Sequence, residues 1–205
     1  MHLFPLFLKL CGRRCLVVGA GKISEAKIAG LLEAGGHVRV VAPKATDRIM
    51  QWQKERRIRL EKRVFRPKDL DGVFLVVAAT NSEKVHREIY RHAQARKVLC
   101  NIVDVPPLCD FYYPAVVRRG KLQIAISTAG ASPSLARRLR EEMEIAFGPQ
   151  YAAWLKHLSR ERKKLFAKRI PVAERMELLK RQASHEAFAR FARQKAKRSK
   201  NREDN

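Results

Sequence analysis

Apolar residues in the first half of the chain arrive in short unbroken runs, separated by longer stretches with helical spacing. Arg14–Val18 (RCLVV), Val38–Ala42 (VRVVA), Phe74–Ala78 (FLVVA) and Val98–Val103 (VLCNIV) are such runs. A strand buried on both faces of a parallel sheet needs this continuity. Ile58–Val64 is more polar and predicts a strand nearer an edge. Lys22–Ala34 sets Ile23, Ala26, Ala29 or Gly30, and Leu31 or Leu32 at helical spacing. Gly35-Gly36 then ends that helix by supplying positive φ. Pro43 stops the second strand. Ser82 suits the N-cap of a helix running to about Arg96. Strands alternating with helices predict a mostly parallel sheet covered on both faces.

The pattern changes after residue 113. Tyr113–Val117 and Leu122–Ser127 read as two strands joined by Arg118-Arg119-Gly120-Lys121, a hairpin signal. Ser132-Pro133 opens a helix, with serine at the N-cap and proline at the first turn. Leu135, Leu139 and Met143 form its apolar stripe. From about Tyr151 to Gln194 the chain is helical, broken at Pro171. Gln194–Asn205 is polar, lacks apolar periodicity and reads as a disordered basic tail. The predicted organisation is α/β: a Rossmann-type parallel-sheet domain over 1–113, a small α+β segment over 114–147, a helical module over 148–193 and the tail over 194–205.

Charge adds an anionic partner to this picture. The 205 residues carry a net charge of +24 at neutral pH. Such an excess suits nucleic acid, anionic lipid or a small molecule with many carboxylates or phosphates. The N-terminal HLFPLFLKL is apolar but too short for a membrane span, and it has neither a basic leader nor a small-residue cleavage site. It reads as an extended segment packing on the first domain of a soluble, cytosolic protein. Cys11, Cys15, Cys100 and Cys109 include no CxxC pair, so reduced, mostly buried thiols are expected and no metal site.

Candidate chemistry gathers at the strand ends. Gly19-Ala20-Gly21-x-x-Ser24 lies between a strand and a helix. The first glycine permits the tight turn, and the second lets backbone N–H groups approach a pyrophosphate at the helix N-terminus. Ser24 takes the place of a third glycine and is small enough for close helix–sheet packing. No acid follows about 20 residues on to hold a ribose; the second strand ends Val41-Ala42-Pro43-Lys44. Either backbone groups bind the adenosine or Lys44 favours a 2′-phosphate, so the residues alone leave NAD and NADP open. Thr80 and Asn81 end the fourth strand, placed either to contact ribose or nicotinamide or simply to make a turn and cap. Asp104 ends the strand after that. It reads as a base that withdraws a proton while hydride leaves for the cofactor, or as a turn aspartate before Val105-Pro106-Pro107.

Taken together these residues resemble the precorrin-2 dehydrogenase and sirohydrochlorin ferrochelatase family, the siroheme synthase N-terminal domain. The likeness rests on PLFLKLCGRRC at 5–15, VVGAGKISEAKIAGLLEAGGHVRVVAP at 17–43, VVAATNSEKVHREI at 76–89 and the segment from NIVD through STAGASP to LARRLRE at 101–141. It implies NAD as electron acceptor, with contacts at Lys22, Ile23, Pro43 and Lys44 beside the glycine turn. It implies Asp104 as the acid–base residue, a dimerisation segment beginning near Pro114 that makes the protein a homodimer, and precorrin-2 oxidised to sirohydrochlorin, with ferrous iron insertion as an added activity of some members. Ala20 departs from the three consecutive glycines common in the family, and Thr128 stands where some relatives carry a phosphorylated serine. Without a methyltransferase domain, methylation of uroporphyrinogen is expected to be done elsewhere.

The implied substrate carries eight carboxylates. Arg118, Arg119, Lys121, Arg137, Arg138 and Arg140, with the helix N-terminus at Ser132, are the candidates to receive them, each also readable as solvated surface. His86 and His92 share a helix but not a face, and both read as surface residues. Two rivals remain: a nucleotide-sensing Rossmann regulator without catalysis, and a nucleic-acid binder using the basic tail, in which no specific binding motif occurs.

Overall fold

The computed structural model describes the backbone of residues 3–203 and the side chains of residues 3–195. The chain divides into two compact units, Met1–Tyr113 and Pro114–Asn205.

The first unit is a five-stranded parallel sheet with strand order β3-β2-β1-β4-β5. Its strands are β1 (Arg14–Val18), β2 (His37–Val41), β3 (Arg59–Glu61), β4 (Leu75–Ala78) and β5 (Leu99–Ile102). Helix α1 (Lys22–Glu33) joins β1 to β2, α2 (Asp47–Lys54) joins β2 to β3, and α3 (Glu83–Ala95) joins β4 to β5. The direction of winding reverses at β1, which has β2 on one side and β4 on the other.

The unbroken apolar runs are explained by the two covered faces. Cys15 and Val17 of β1 pack with Ile28 and Leu31 of α1 and with Ile49 and Trp52 of α2. Leu16 and Val18 face the other way, toward Ile89 and Ala93 of α3. Alternate residues of one strand therefore enter two different cores, and both must be apolar. Helix α1 closes as its sequence predicts: Gly35 adopts φ +77°, and the Gly35 and Gly36 N–H groups donate to the Leu32 and Leu31 carbonyls. The Ser82 hydroxyl caps α3 by accepting from the Val85 N–H.

Four sequence expectations are corrected in the described residues. The polar third strand shrinks to three residues, because at the sheet edge it pairs only with β2. The N-terminal segment does not pack over its length: Phe4, Leu6 and Phe7 are exposed, and the segment enters the core only at Leu10. His86 is buried rather than at the surface; it lies one helical turn before Ile89 on the face of α3 that meets the sheet. The tail is helical through Glu203 rather than disordered, since Lys, Arg, Gln and Ala carry on a helix already anchored upstream. Asp204 and Asn205 lie outside the described residues.

In the second unit, β6 (Ala115–Arg119) and β7 (Leu122–Ile126) form the expected antiparallel hairpin. Four helices follow: α4 (Pro133–Ala146), α5 (Gln150–Ala167), α6 (Val172–Gln182) and α7 (His185–Glu203). Helices α5 and α7 join through an aromatic stack of Tyr151, Trp154, His157, Phe188 and Phe191. No described helix is long and apolar enough to cross a membrane.

Candidate active site

Parallel register sets the strand ends of the first unit level with one another. Val18 of β1 is opposite Val41 of β2 and Ala78 of β4, and Ala78 is opposite Ile102 of β5. Each strand runs straight into a segment singled out in the sequence: Gly19–Gly21 after β1, Pro43-Lys44 after β2, Thr80-Asn81 after β4 and Asp104 after β5. The fold thus brings nine residues far apart in sequence — Gly19, Gly21, Lys22, Ile23, Pro43, Lys44, Thr80, Asn81 and Asp104 — to one carboxyl rim. In open α/β sheets, ligands bind at this rim, where the winding reverses.

The turn after β1 admits only glycine at its first position. Gly19 has φ +103°, and a Cβ there would stand 2.2 Å from the Ala79 carbonyl oxygen. The turn is held from both sides: the Gly19 N–H donates to the Val41 carbonyl, and the Ala79 N–H donates to the Val18 carbonyl. At Gly21 a Cβ would meet nothing within 4 Å, so this position opens onto free space. Gly21 is also the N-cap of α1, and no side chain caps that helix. The first N–H groups of α1 therefore face an open, uncapped end, as a pyrophosphate requires.

Around this turn the side chains add two further features. Lys22 and Ile23 are exposed at the start of α1, and Pro43 and Lys44 are exposed beyond β2. Glu25, in the first turn of α1, is buried. Its Oε1 and the Thr46 Oγ1 are both buried without a hydrogen-bond partner of good geometry among the described residues. Thr46 is tied to the glycine turn through its N–H, which donates to the Ala20 carbonyl. Lys22 at 3.5 Å and Arg48 at 3.9 Å are the cations paired with the Glu25 carboxylate. The Thr46 hydroxyl is the foremost influence that holds the Glu25 carboxyl below its usual range, so the two side chains meet behind the glycine turn. A glutamate one turn into a helix carries no signal of this meeting in sequence.

The loop carrying Asp104 is pinned by polar contacts from β5. The Asn101 side chain donates to the Phe111 carbonyl at 2.7 Å. The Asp110 carboxylate accepts from the Cys100 N–H at 2.8 Å and from the Gln94 side chain. The Cys109 thiol donates to the Ile102 carbonyl at 3.1 Å. Against this fixed background Asp104 stands exposed, with φ +62°. The left-handed region is one that aspartate tolerates better than most residues. Among the described residues its carboxylate makes no hydrogen bond or ion pair.

The remaining candidates belong to the second unit, where most have other partners. The Arg119 guanidinium donates to the Phe147, Arg118 and Glu144 carbonyls and so ties β6 to the end of α4. Arg137, Arg138 and Arg140 pair along α4 with Glu141, Glu142 and Glu144. Ser132 caps α4, its hydroxyl accepting from the Leu135 N–H. The Thr128 hydroxyl closes the same loop by accepting from the Ser132 N–H and donating to its carbonyl. Arg118 is exposed with no ion pair among the described residues. No described group of three or more His, Cys, Asp or Glu is arranged to hold a metal.

A cleft of about 650 Å³ opens at the opposite, amino rim of the first unit's sheet, lined by Arg14, Arg39, Arg56, Arg59 and Lys68 among others. It holds none of the residues of the carboxyl rim.

Known proteins match the chain in both units. A family model described as NAD(P)-binding matches residues 6–115, and one described as sirohaem biosynthesis protein central matches residues 119–144. The siroheme synthase of Methylobacillus flagellatus is 43% identical over 151 residues, which is 74% of this chain and 32% of that protein. Siroheme synthase 1 of Aeromonas hydrophila is 36% identical over 192 residues, 92% of this chain and 41% of that protein. The chain thus spans between about a third and two fifths of the length of these relatives. Among solved structures, SirC, a precorrin-2 dehydrogenase, superposes with a TM-score of 0.79 at 29% identity, covering 91% of this chain and 92% of that one. With its uncapped α1, its glycine turn and the match over residues 6–115, the chain belongs to the NAD(P)-binding family.

Proposed function

We propose that this protein is an NAD-dependent precorrin-2 dehydrogenase, oxidising precorrin-2 to sirohydrochlorin in siroheme biosynthesis. The observation that carries the reading is the carboxyl rim itself. A helix end fitted to a pyrophosphate follows β1 and an unpartnered carboxylate follows β5, at the same rim of one sheet with only β4 between them. Likeness to SirC over nine tenths of both chains supports the same substrate.

Each rim residue has a role in this reading. The N–H groups at the start of α1 hold the pyrophosphate, with Gly19 and Gly21 clearing its approach. Lys22, Ile23, Pro43 and Lys44 flank the adenosine half; Thr80 and Asn81 lie toward the nicotinamide half. Bound NAD supplies a two-electron acceptor that takes hydride from the reduced macrocycle. Asp104 takes the accompanying proton and passes it to solvent, which its exposure allows. The macrocycle loses two hydrogens in all and gains one double bond in conjugation. Arg118, Arg119, Ser132 and Arg137 are proposed for the substrate carboxylates. Of these Arg118 is the strongest, since its charge is not committed to another described group. The second unit is proposed to join two copies into a homodimer, a state that light scattering reports directly.

Anaerobic incubation of precorrin-2 with NAD tests the reading, followed by the absorbance of sirohydrochlorin and of NADH. The wild-type protein forms both in equal amounts, and Asp104→Ala forms neither at a comparable rate. Binding of NAD without NADH formation would replace the enzyme with a nucleotide sensor.

A further inference from the structure

Most described cations are fully exposed or hold a carboxylate. Lys27 is neither. It leaves α1 half-buried, and its Nζ stands 3.8 Å from the centre of the Tyr113 ring. No carboxylate forms an ion pair with it among the described residues. Burial pushes the Lys27 ammonium down from its usual range, while the charges of Asp104 and Cys109 pull it back up. The Cys109 thiol is a poor anion: burial pushes it up in turn, and it already donates to the Ile102 carbonyl. That leaves Asp104 as the other group that favours the charged lysine.

The cost of this arrangement points to a purpose. Desolvating an ammonium is unfavourable, and an apolar side chain of similar length would cover Tyr113 without it. The ring face offsets part of the cost and fixes the ammonium in one place. Lys27 lies on the helix whose first turn is fitted to the pyrophosphate, and Tyr113 lies at the end of the loop that begins with Asp104. The contact therefore joins the nucleotide helix to the acid–base loop.

We propose that Lys27 is a positioning residue for Asp104: seated on Tyr113, it locks the loop that begins with Asp104 against α1 and so fixes where the carboxylate stands. This rests on the reading of Asp104 as proton acceptor. Lys27 sits beyond the first turn of α1, so the cofactor phosphates have no need of it.

A double-mutant cycle on the full chain tests the proposal, using Lys27→Met, Asp104→Asn and both together. The readouts are kcat and KM for precorrin-2 oxidation, single-turnover rates for slow variants, Kd for NAD and the melting temperature. Lys27→Met is expected to lower kcat about 10-fold to 100-fold, with Kd for NAD within about 2-fold. In the Asp104→Asn background the same change adds nothing, the signature of two residues acting as one unit. Lys27→Arg and Tyr113→Phe keep most of the activity, while Tyr113→Leu reproduces the loss seen in Lys27→Met. Additive losses in the cycle would overturn the proposal, as would a loss of NAD affinity equal to the loss of kcat, or wild-type kcat in Lys27→Met. Wild-type kcat in Asp104→Asn would instead remove the acid–base reading on which the proposal rests.

Discussion

Two aspartates of the first unit show what different surroundings make of one side chain. Asp69 sits in a turn of 3₁₀ helix at Pro67–Leu70, buried and fully engaged. The Arg63 guanidinium donates to both of its oxygens, at 2.6 and 2.8 Å, the Arg66 N–H donates at 2.8 Å, and Arg39 adds a second cation at 3.3 Å. Burial alone would raise the Asp69 carboxyl, but the bonds from Arg63 and Arg66 outweigh it and hold it below the usual range. Asp104 is exposed, in a left-handed backbone conformation, with none of these bonds among the described residues. A carboxylate with every lone pair spoken for holds a fold together. One left open on a ligand rim is available for chemistry.

The sharpest way to break this comparison is to exchange the consequences of the two losses. Asp104→Asn is expected to slow precorrin-2 oxidation about 100-fold to 10,000-fold, the usual span for an acid–base group, and to leave the urea midpoint unchanged. Asp69→Ala is expected to cost the first unit about 3 kcal/mol, because two cations and a backbone N–H lose a buried partner. The turnover of the molecules that remain folded should stay near wild type. Trp52 fluorescence in a Trp154→Phe background reads the first unit by itself, since each unit holds one tryptophan. If Asp69→Ala silences the enzyme without unfolding it, the division between the two aspartates fails.

Acid sharpens the same contrast more gently. The folded Asp69 carboxyl titrates below its unfolded value of about 3.9. Its contribution to stability is therefore complete above that pH and drains away as pH falls through the folded value. Wild type should lose stability below about pH 4 more steeply than Asp69→Asn in urea melts at stepped pH. The smallest expected effect tests a region that belongs to neither aspartate. Ser82→Ala removes the cap of α3 and should cost about 1 kcal/mol, measurable as faster amide exchange in the first turn of that helix.

Much of this architecture was legible in the residues, and the exceptions are physical. RCLVV and FLVVA announce strands of a parallel sheet because both faces are covered. Gly19-x-Gly21 announces the phosphate turn because only glycine tolerates the conformation at its first position. Helix α2 escaped notice because eight residues with two apolar anchors, Ile49 and Trp52, leave little periodicity to read. Lys27 and Glu25 escaped because charged residues on a helix normally mark its wet face, and only the packing shows that these two turn inward. The Asp69 cluster escaped because its arginines come from a strand and from the chain after another strand, a proximity no local spacing encodes. The arginines of α4 add a contact that the sequence reading did not state: proposed as ligands for a polyanion, they also pair along their own helix with glutamates one turn ahead.

The thiols give this sheet a built-in alarm. Burial pushes Cys15 up to about 11 and Cys100 up to about 12, so neither supplies thiolate at neutral pH while β1 and β5 stay closed. Cys11, exposed at the foot of β1, has no such shelter. A thiol reagent should therefore mark the native chain at Cys11 first and reach the two buried sulfurs only when the strands part, so their labelling rate becomes a clock for opening of the nucleotide-binding sheet.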